Sequence, residues 1–447
     1  MIKLSEIKII TLTALPLMAA FLAQKGMQLI DTVMLGWIGP QALAAGALGT
    51  AMFMIGLTFC LGALSAVGIF IARARGAKQH NEISDNLQSG ICLALVLALP
   101  CMIIIWYSPQ LLLALGEDPR VVENTMLLLH GLVWGFPGFL LFLVFREFIA
   151  SFELARVVMT VCVLSLPLTF VANYGLMYGT YGLPVLGIAG IGYAGAVIMW
   201  LMFFSLFFYS KKHPVLKIHV VAMQWCRFDA QKMRAMFIVG APSGLLLVLD
   251  TGMFAIAAIM IGHFGVEALA AHQIAMQWVT IAYAVPVGVS MATALQVSHS
   301  AGANNMVQGK RYAYIGLSMG LLLSAVIALV FIFAPSLLAN LFLEKSDPQY
   351  HKIYQYALTF LAIGAFFQSV DALQVILNGA LRGIKDTFIP MLLSIVCYWG
   401  LGVSGAYYLT FYTSLAASGI WYGLTIGILS AALMLFLRFY KRMGYQT

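Results

Sequence analysis

"LGWIGPQALAAGAL" (35–48) and "IGHFGVEALAAHQI" (261–274) are two versions of one segment, 226 residues apart. Gly36, Gly39, Ala42, Leu43, Ala44 and Ala45 fall on Gly262, Gly265, Ala268, Leu269, Ala270 and Ala271. The same offset pairs Pro16 with Pro242, Gly62 with Gly288, Ala66 with Ala292 and Gly76 with Gly302. One gapless offset over some sixty residues is hard to obtain by chance from a biased composition. The chain is therefore read as a duplicated unit.

Composition decides what solvent the unit meets. Of the 447 residues, 62% are hydrophobic and only 9% charged, with a mean hydropathy of +0.96. A water-soluble chain carries about 25% charged residues, so most of this surface must face lipid. A helix needs about 20 mostly apolar residues to cross a bilayer, and twelve runs qualify: 9–34, 44–72, 88–107, 124–145, 157–178, 186–210, 235–262, 267–297, 313–342, 353–380, 388–411 and 415–438. Six spans separate the repeats, so both copies share one orientation, as in parallel repeats related by an axis along the membrane normal. The expected fold is an all-α integral membrane protein, with twelve transmembrane helices in two pseudo-symmetric six-helix lobes around a central cavity. Residues 1–210 form the N-lobe, 211–234 a basic inter-lobe linker and 235–447 the C-lobe.

Lys and Arg fix the expected orientation. Twenty of the 24 fall in loops on one side, among them Arg73, Arg75 and Lys78, Lys211 to Arg234 including Arg227, and Arg438 to Arg442. Arg120, Lys345 and Lys352 fall on the other side, and Lys25 alone lies within a span. Both termini are then cytoplasmic. The net charge of +8 follows from this topology and does not point to nucleic acid. Cys60, Cys92, Cys101, Cys162, Cys226 and Cys397 form no CxxC pair and read as small hydrophobes rather than a disulfide or zinc framework. The start "MIKLSEIKII" lacks a convincing cleavage site, so a removed signal peptide is not expected.

Charges inside spans are costly and mark function. Of sixteen acids, three lie within spans: Asp31 in span 1, Asp250 in span 7 and Asp371 in span 10. Helix-packing polar contacts or buried ion pairs are the alternative. The repeat sharpens the point, because Asp250 falls on Gln24 and Asp31 falls on Ala257. The lobes share a scaffold but not their acids, which suggests separate tasks. A carboxylate in low dielectric can exchange a proton near neutral pH, and paired oxygen ligands can hold a hard cation.

Four stretches carry a resemblance: "DTVMLG" (31–36), "GAPSGLLLVLD" (240–250), "ALAAHQIA" (268–275) and "NGALRGIKDTFIP" (378–390). With the spans and the repeat, the sequence resembles the multidrug and toxic compound extrusion (MATE) transporters of the bacterial NorM-like branch over nearly its whole length. The resemblance implies that Asp31 is the functional first-helix acid of the N-lobe, with Asn173 as its polar partner and Thr169 one turn earlier. Thr169 departs from the family, where asparagine is frequent. In the C-lobe the resemblance implies cation coupling at Asp371 and Asp250, with Gln273 and Tyr283 as further cation- or substrate-facing groups and a possible Na⁺ at Asp250 and Asp371. Asp250 stands where many relatives have glutamate. It implies no cofactor other than the coupling ion, Na⁺ or H⁺.

The implied function is a secondary multidrug exporter that exchanges Na⁺ or H⁺ for organic cations by alternating access. The expected partners are cationic amphiphilic small molecules and the lipid bilayer, the expected form a monomer, and the expected location the bacterial inner membrane. A lipid-linked precursor flippase of the wider superfamily is the alternative; three acids against one lysine favour cationic cargo. No GxxxxGK[ST] phosphate loop and no catalytic constellation is present, so an ATP-driven pump or enzyme is not expected.

Lys25 is six residues from Asp31, about 600° of helical turn, so the two do not share a face. Three readings of Lys25 stay open: a cavity charge paired with a C-lobe acid, which is the working hypothesis, a bridge elsewhere between helices, or a neutral amine in an apolar pocket. His272 reads as packing more than as a proton carrier. Pro16 and Pro242 are candidate kinks. The pairs around Arg146–Arg156 and Arg382–Asp386 read as loop salt bridges and topology anchors.

Overall fold

A computed structural model describes residues 3–114, 116–223, 229–343 and 348–444; Cys226, Arg227 and Lys345 lie outside the described residues. All twelve spans are present as apolar helices. In chain order they are span 1 Leu4–Ile38, span 2 Pro40–Gly76, span 3 His80–Ala114, span 4 Pro119–Ser151, span 5 Ala155–Tyr178, span 6 Ile188–Lys212, span 7 Ala230–Gly262, span 8 Val266–Gly302, span 9 Met306–Phe333, span 10 Tyr350–Gly383, span 11 Phe388–Phe411 and span 12 Ser418–Met443. Among the described residues there is no strand. Several helices outrun the apolar stretches that announced them. Span 2 begins at Pro40 rather than 44, because proline at a first helical position sacrifices only an N–H that has no intrahelical partner.

Three spans are irregular. Span 4 is interrupted by a 3-10 turn at Val133–Gly135, just before Pro137, and span 8 by Tyr283, three residues before Pro286. Proline removes a backbone donor and forces such breaks. Pro16 and Pro242 sit inside helices that stay continuous. Span 11 carries a π-helical segment, Val396–Val403, of a kind often found at functional sites.

The chain packs as two compact units: Ala19–Gly244, and Met1–Met18 together with Leu245–Thr447. The two switch points are equivalent under the repeat, since 18 + 226 = 244. Each switch falls two residues after a proline of the repeated pair, Pro16 or Pro242. Within the first unit, Gly62 lies backbone-to-backbone on Gly244, and Gly240 lies on Ala63. Within the second, Gly288 abuts Met18 and Ala14. Gly62 and Gly288 are repeat partners, as are Gly244 and Met18, so one close helix crossing is built twice. Close approach through small residues is how helices associate where lipid removes the hydrophobic drive between them.

The first unit's core runs through Phe136, Phe142, Phe145 and Phe148, with Leu64 and Leu87. The second unit's core centres on Phe360, Phe367, Tyr398 and Trp421. The acids expected in loop ion pairs are paired, but Glu153 and Asp386 with other partners than their sequence neighbours, and Arg146 and Glu147 lie inside span 4 rather than in a loop. Asp386 receives both Nε and Nη2 of Arg438, at 2.9 and 3.1 Å, and Nε of Arg442 at 3.2 Å. Arg146 and Glu147 form a buried pair at 2.9 Å, and Arg75 meets Glu153 at 3.1 Å. Within the segment read as a linker, Pro214–Val221 is a helix that buries Leu216, His219 and Val220. Lys232 extends from the start of span 7 to Glu82 and Asp85, at 3.1 and 2.7 Å.

Candidate functional site

In the first unit, the Asp31 carboxylate accepts a hydrogen bond from Asn173 Nδ2 at 2.7 Å. Asp31 is half-buried and Asn173 wholly buried. The remaining amide oxygen, Asn173 Oδ1, is buried with no hydrogen-bond partner among the described residues. Leaving such an acceptor dry costs about 1–3 kcal/mol. The site therefore presents a carboxylate and an unsatisfied oxygen side by side. Thr169 is buried, and its hydroxyl donates to Ser165 O of its own helix at 2.8 Å. That bond uses its only proton and leaves oxygen lone pairs, so Thr169 can act as an acceptor but not as a donor to Asp31.

Lys25 points its ammonium at Gln28 Oε1, 3.2 Å away, with the Phe21 ring 5.8 Å off. Gln28 in turn donates to Met54 Sδ of span 2 at 3.4 Å. Among the described residues of its own unit Lys25 pairs with no carboxylate. Sequence reasoning missed Gln28 as its partner. The i, i+3 spacing on one helix could have found it.

In the second unit, Asp250, Tyr283 and Asp371 come within electrostatic reach of one another. Asp371 is buried, and neither acid enters a salt bridge among the described residues. Tyr398, from the π segment of span 11, joins them and is almost wholly buried. Sequence reasoning did not single out Tyr398, since one tyrosine in an apolar span carries no spacing signal. Gln368, one turn before Asp371, was also missed. It is fully buried, with both amide atoms unpartnered among the described residues. Its i, i+3 relation to Asp371 was legible.

Gln273 is different. It is exposed and makes no hydrogen bond among the described residues. Ten residues of helix set it about 15 Å along the axis from Tyr283, beyond the combined reach of the two side chains. Gln273 and Tyr283 therefore cannot ligate one ion together. His272, its neighbour, is buried against the Trp421 ring at 5.6 Å, a packing position. Among the described residues no three His, Cys, Asp or Glu side chains form a metal cluster.

Twelve apolar spans in a twofold repeat, with polar constellations inside both halves, define a polytopic membrane transporter. The MatE family profile matches residues 16–175 and 242–408. The "Probable multidrug resistance protein NorM" of Pseudomonas aeruginosa is 36% identical over 436 residues, covering 98% of this chain and 89% of that one. The "Multidrug resistance protein NorM" of Burkholderia vietnamiensis is 34% identical over 433 residues, covering 96% and 92%. A solved eukaryotic MATE transporter, AtDTX14, superposes with a TM-score of 0.84 at 21% identity, over 99% of this chain and 98% of that one, and so shares the fold. This chain belongs to the MATE family of multidrug-efflux transporters.

Proposed function

We propose that the protein exports organic cations in exchange for Na⁺ or H⁺, with the coupling ion bound at in-span carboxylates. The observation that carries this reading is the cluster of Asp250, Asp371, Tyr283 and Tyr398, whose two acids enter no salt bridge among the described residues, with Arg382 in electrostatic reach of Tyr283. A carboxylate kept in an apolar span without a salt-bridge partner is costly unless it has a cargo to bind. Hydroxyl and carboxylate oxygens suit Na⁺, a hard cation. The same carboxylates suit a proton. A cationic drug competes for the same charge, so ion binding and drug binding exclude one another on one site and ion entry is coupled to drug exit. The coupling requires the ion and drug to favour different lobe arrangements. Asp31, with Asn173 Nδ2 holding one oxygen and Asn173 Oδ1 unclaimed, supplies a second binding point. Relatives named for multidrug resistance support a small-molecule cargo. The positive-inside distribution supports cytoplasmic termini.

The test is efflux of ethidium from proteoliposomes under an inward Na⁺ gradient or an inward H⁺ gradient, without ATP. Export under one gradient establishes the exchange and names the ion. Export that persists unchanged in Asp371→Asn removes the C-terminal cluster from the coupling. No export under either gradient overturns the reading.

A further inference from the structure

A second feature lies away from all of these residues. The end of span 2, the start of span 3, the loops joining spans 2–3 and 4–5 and the helix Pro214–Val221 border an open cavity of about 570 Å³ within the first unit. Its polar lining is basic: Arg75, Lys78, His80, His213 and His219. Arg75 is tied to Glu153 at 3.1 Å and donates to Ser151 O at 2.7 Å, and its guanidinium lies over the Phe152 ring. The Lys78 ammonium has no partner among the described residues. His213 Nδ1 is buried without a hydrogen-bond partner among them. His80 and His219 stack at 5.7 Å. Burial holds the His219 imidazole below its usual pKa. The cavity thus offers one free ammonium and an unclaimed ring nitrogen, and no carboxylate is among its described lining residues.

The helix beside it has a second apolar face. Val215, Ile218 and Val221 are 50, 64 and 66% exposed, whereas Leu216, His219 and Val220 on the opposite side are buried. Exposed apolar residues on a short helix at the end of a span are suited to acyl chains, which would place the adjoining basic lining near headgroup depth.

The repeat shows that the charge is not required by the scaffold. Lys78 and its repeat partner Asn304 occupy the same turn, with φ 57° and 54°. Asparagine is enriched in that conformation and lysine is not. Arg75 falls on Ala301 and His80 on Met306. One half of the duplication keeps the conformationally favoured, uncharged turn, and the other carries a lysine there against backbone preference. Residues held in such conformations concentrate at functional sites.

We propose that this cavity seats the phosphate headgroup of an anionic phospholipid, with its acyl chains along Val215 and Ile218. Basic pockets between spans are an established chemistry for such headgroups. Lys78 neutralises the phosphate, His213 Nδ1 hydrogen-bonds it, and the ring stack of His80 and His219 forms the wall.

The experiment is native mass spectrometry of the full, delipidated chain in detergent, titrated with phosphatidylglycerol, phosphatidylcholine or inorganic phosphate. The variant is Lys78→Asn, which installs the residue the equivalent turn already uses and so leaves the backbone content. Phosphatidylglycerol should bind at least tenfold more tightly than phosphatidylcholine. Lys78→Asn should weaken it about fivefold, the worth of one basic residue at an anionic headgroup. Lys352→Gln, an exposed lysine of the other unit, should leave it unchanged. Equal binding by wild type and Lys78→Asn overturns the proposal, as does equal binding of the two lipids. Complete displacement of the lipid by equimolar inorganic phosphate also overturns it, since the site would then recognise a free anion and not a lipid.

Discussion

Replacing Asn173 with leucine tests the first-unit site most directly. Leucine keeps the branched shape at Cγ and removes the amide; it is bulkier than asparagine, so at the wholly buried position 173 some overpacking accompanies the loss. What disappears is the 2.7 Å bond from Nδ2 to Asp31 and the unclaimed Oδ1 beside it. A hydrogen bond to a charged acceptor is worth about 1.5–3 kcal/mol, which converts to roughly 13- to 160-fold in an equilibrium constant. If an ion shares the Asp31–Asn173 pair, the ion concentration that half-saturates ethidium efflux from proteoliposomes should move by that order. The elution profile in detergent should stay that of the wild type. Asp31→Asn should produce the larger defect, and Asn173→Leu on top of it should add little, because the two residues act as one unit. An unchanged ion dependence in Asn173→Leu, with the protein intact, would refute the reasoning and reduce the pair to a packing contact between spans 1 and 5.

Two further outcomes follow from particular contacts. Gly62→Ala drives a methyl into the backbone of Gly244, whereas Gly36→Ala meets nothing within 4 Å. Overpacking of this kind costs about 1–3 kcal/mol, so the thermal midpoint in detergent should drop by several degrees for Gly62→Ala and stay put for Gly36→Ala; equal midpoints would sink the argument. Lys25→Met removes a cation about 9 Å along the helix from Asp31. At an effective dielectric of 20 that relieves up to about 2 kcal/mol of repulsion toward a cation held there. The half-saturating ethidium concentration should fall by as much as about 30-fold, and an unchanged value together with an unchanged substrate range would show that Lys25 serves only its Gln28 contact.

The sequence by itself determined the solvent, the number of spans and the duplication. These follow from one-dimensional facts, since lipid admits backbone only as helices of a set length. A 226-residue offset survives any packing. It also marked Asp31, Asp250 and Asp371, because charge inside an apolar run is visible without coordinates. The Asp31–Asn173 pairing came from the family resemblance, and the bond at 2.7 Å agrees with it.

Only the tertiary structure decided the rest. Span 1 leaves one unit for the other after Met18, and span 7 does the reverse after Gly244, a partition no hydropathy run contains. Tyr398 reaches the second-unit acids because span 11 winds as a π-helix there, which shifts the face a residue presents. Gln273, two residues after the repeated "ALAA" segment, stays outside that cluster because ten residues of helix cannot be folded back. Lys25 finds Gln28 rather than a carboxylate in its unit. In each case the deciding quantity is which side chains meet across helices, and helix crossing is set by close packing at small residues, such as Gly62 on Gly244, rather than by any local preference in the chain.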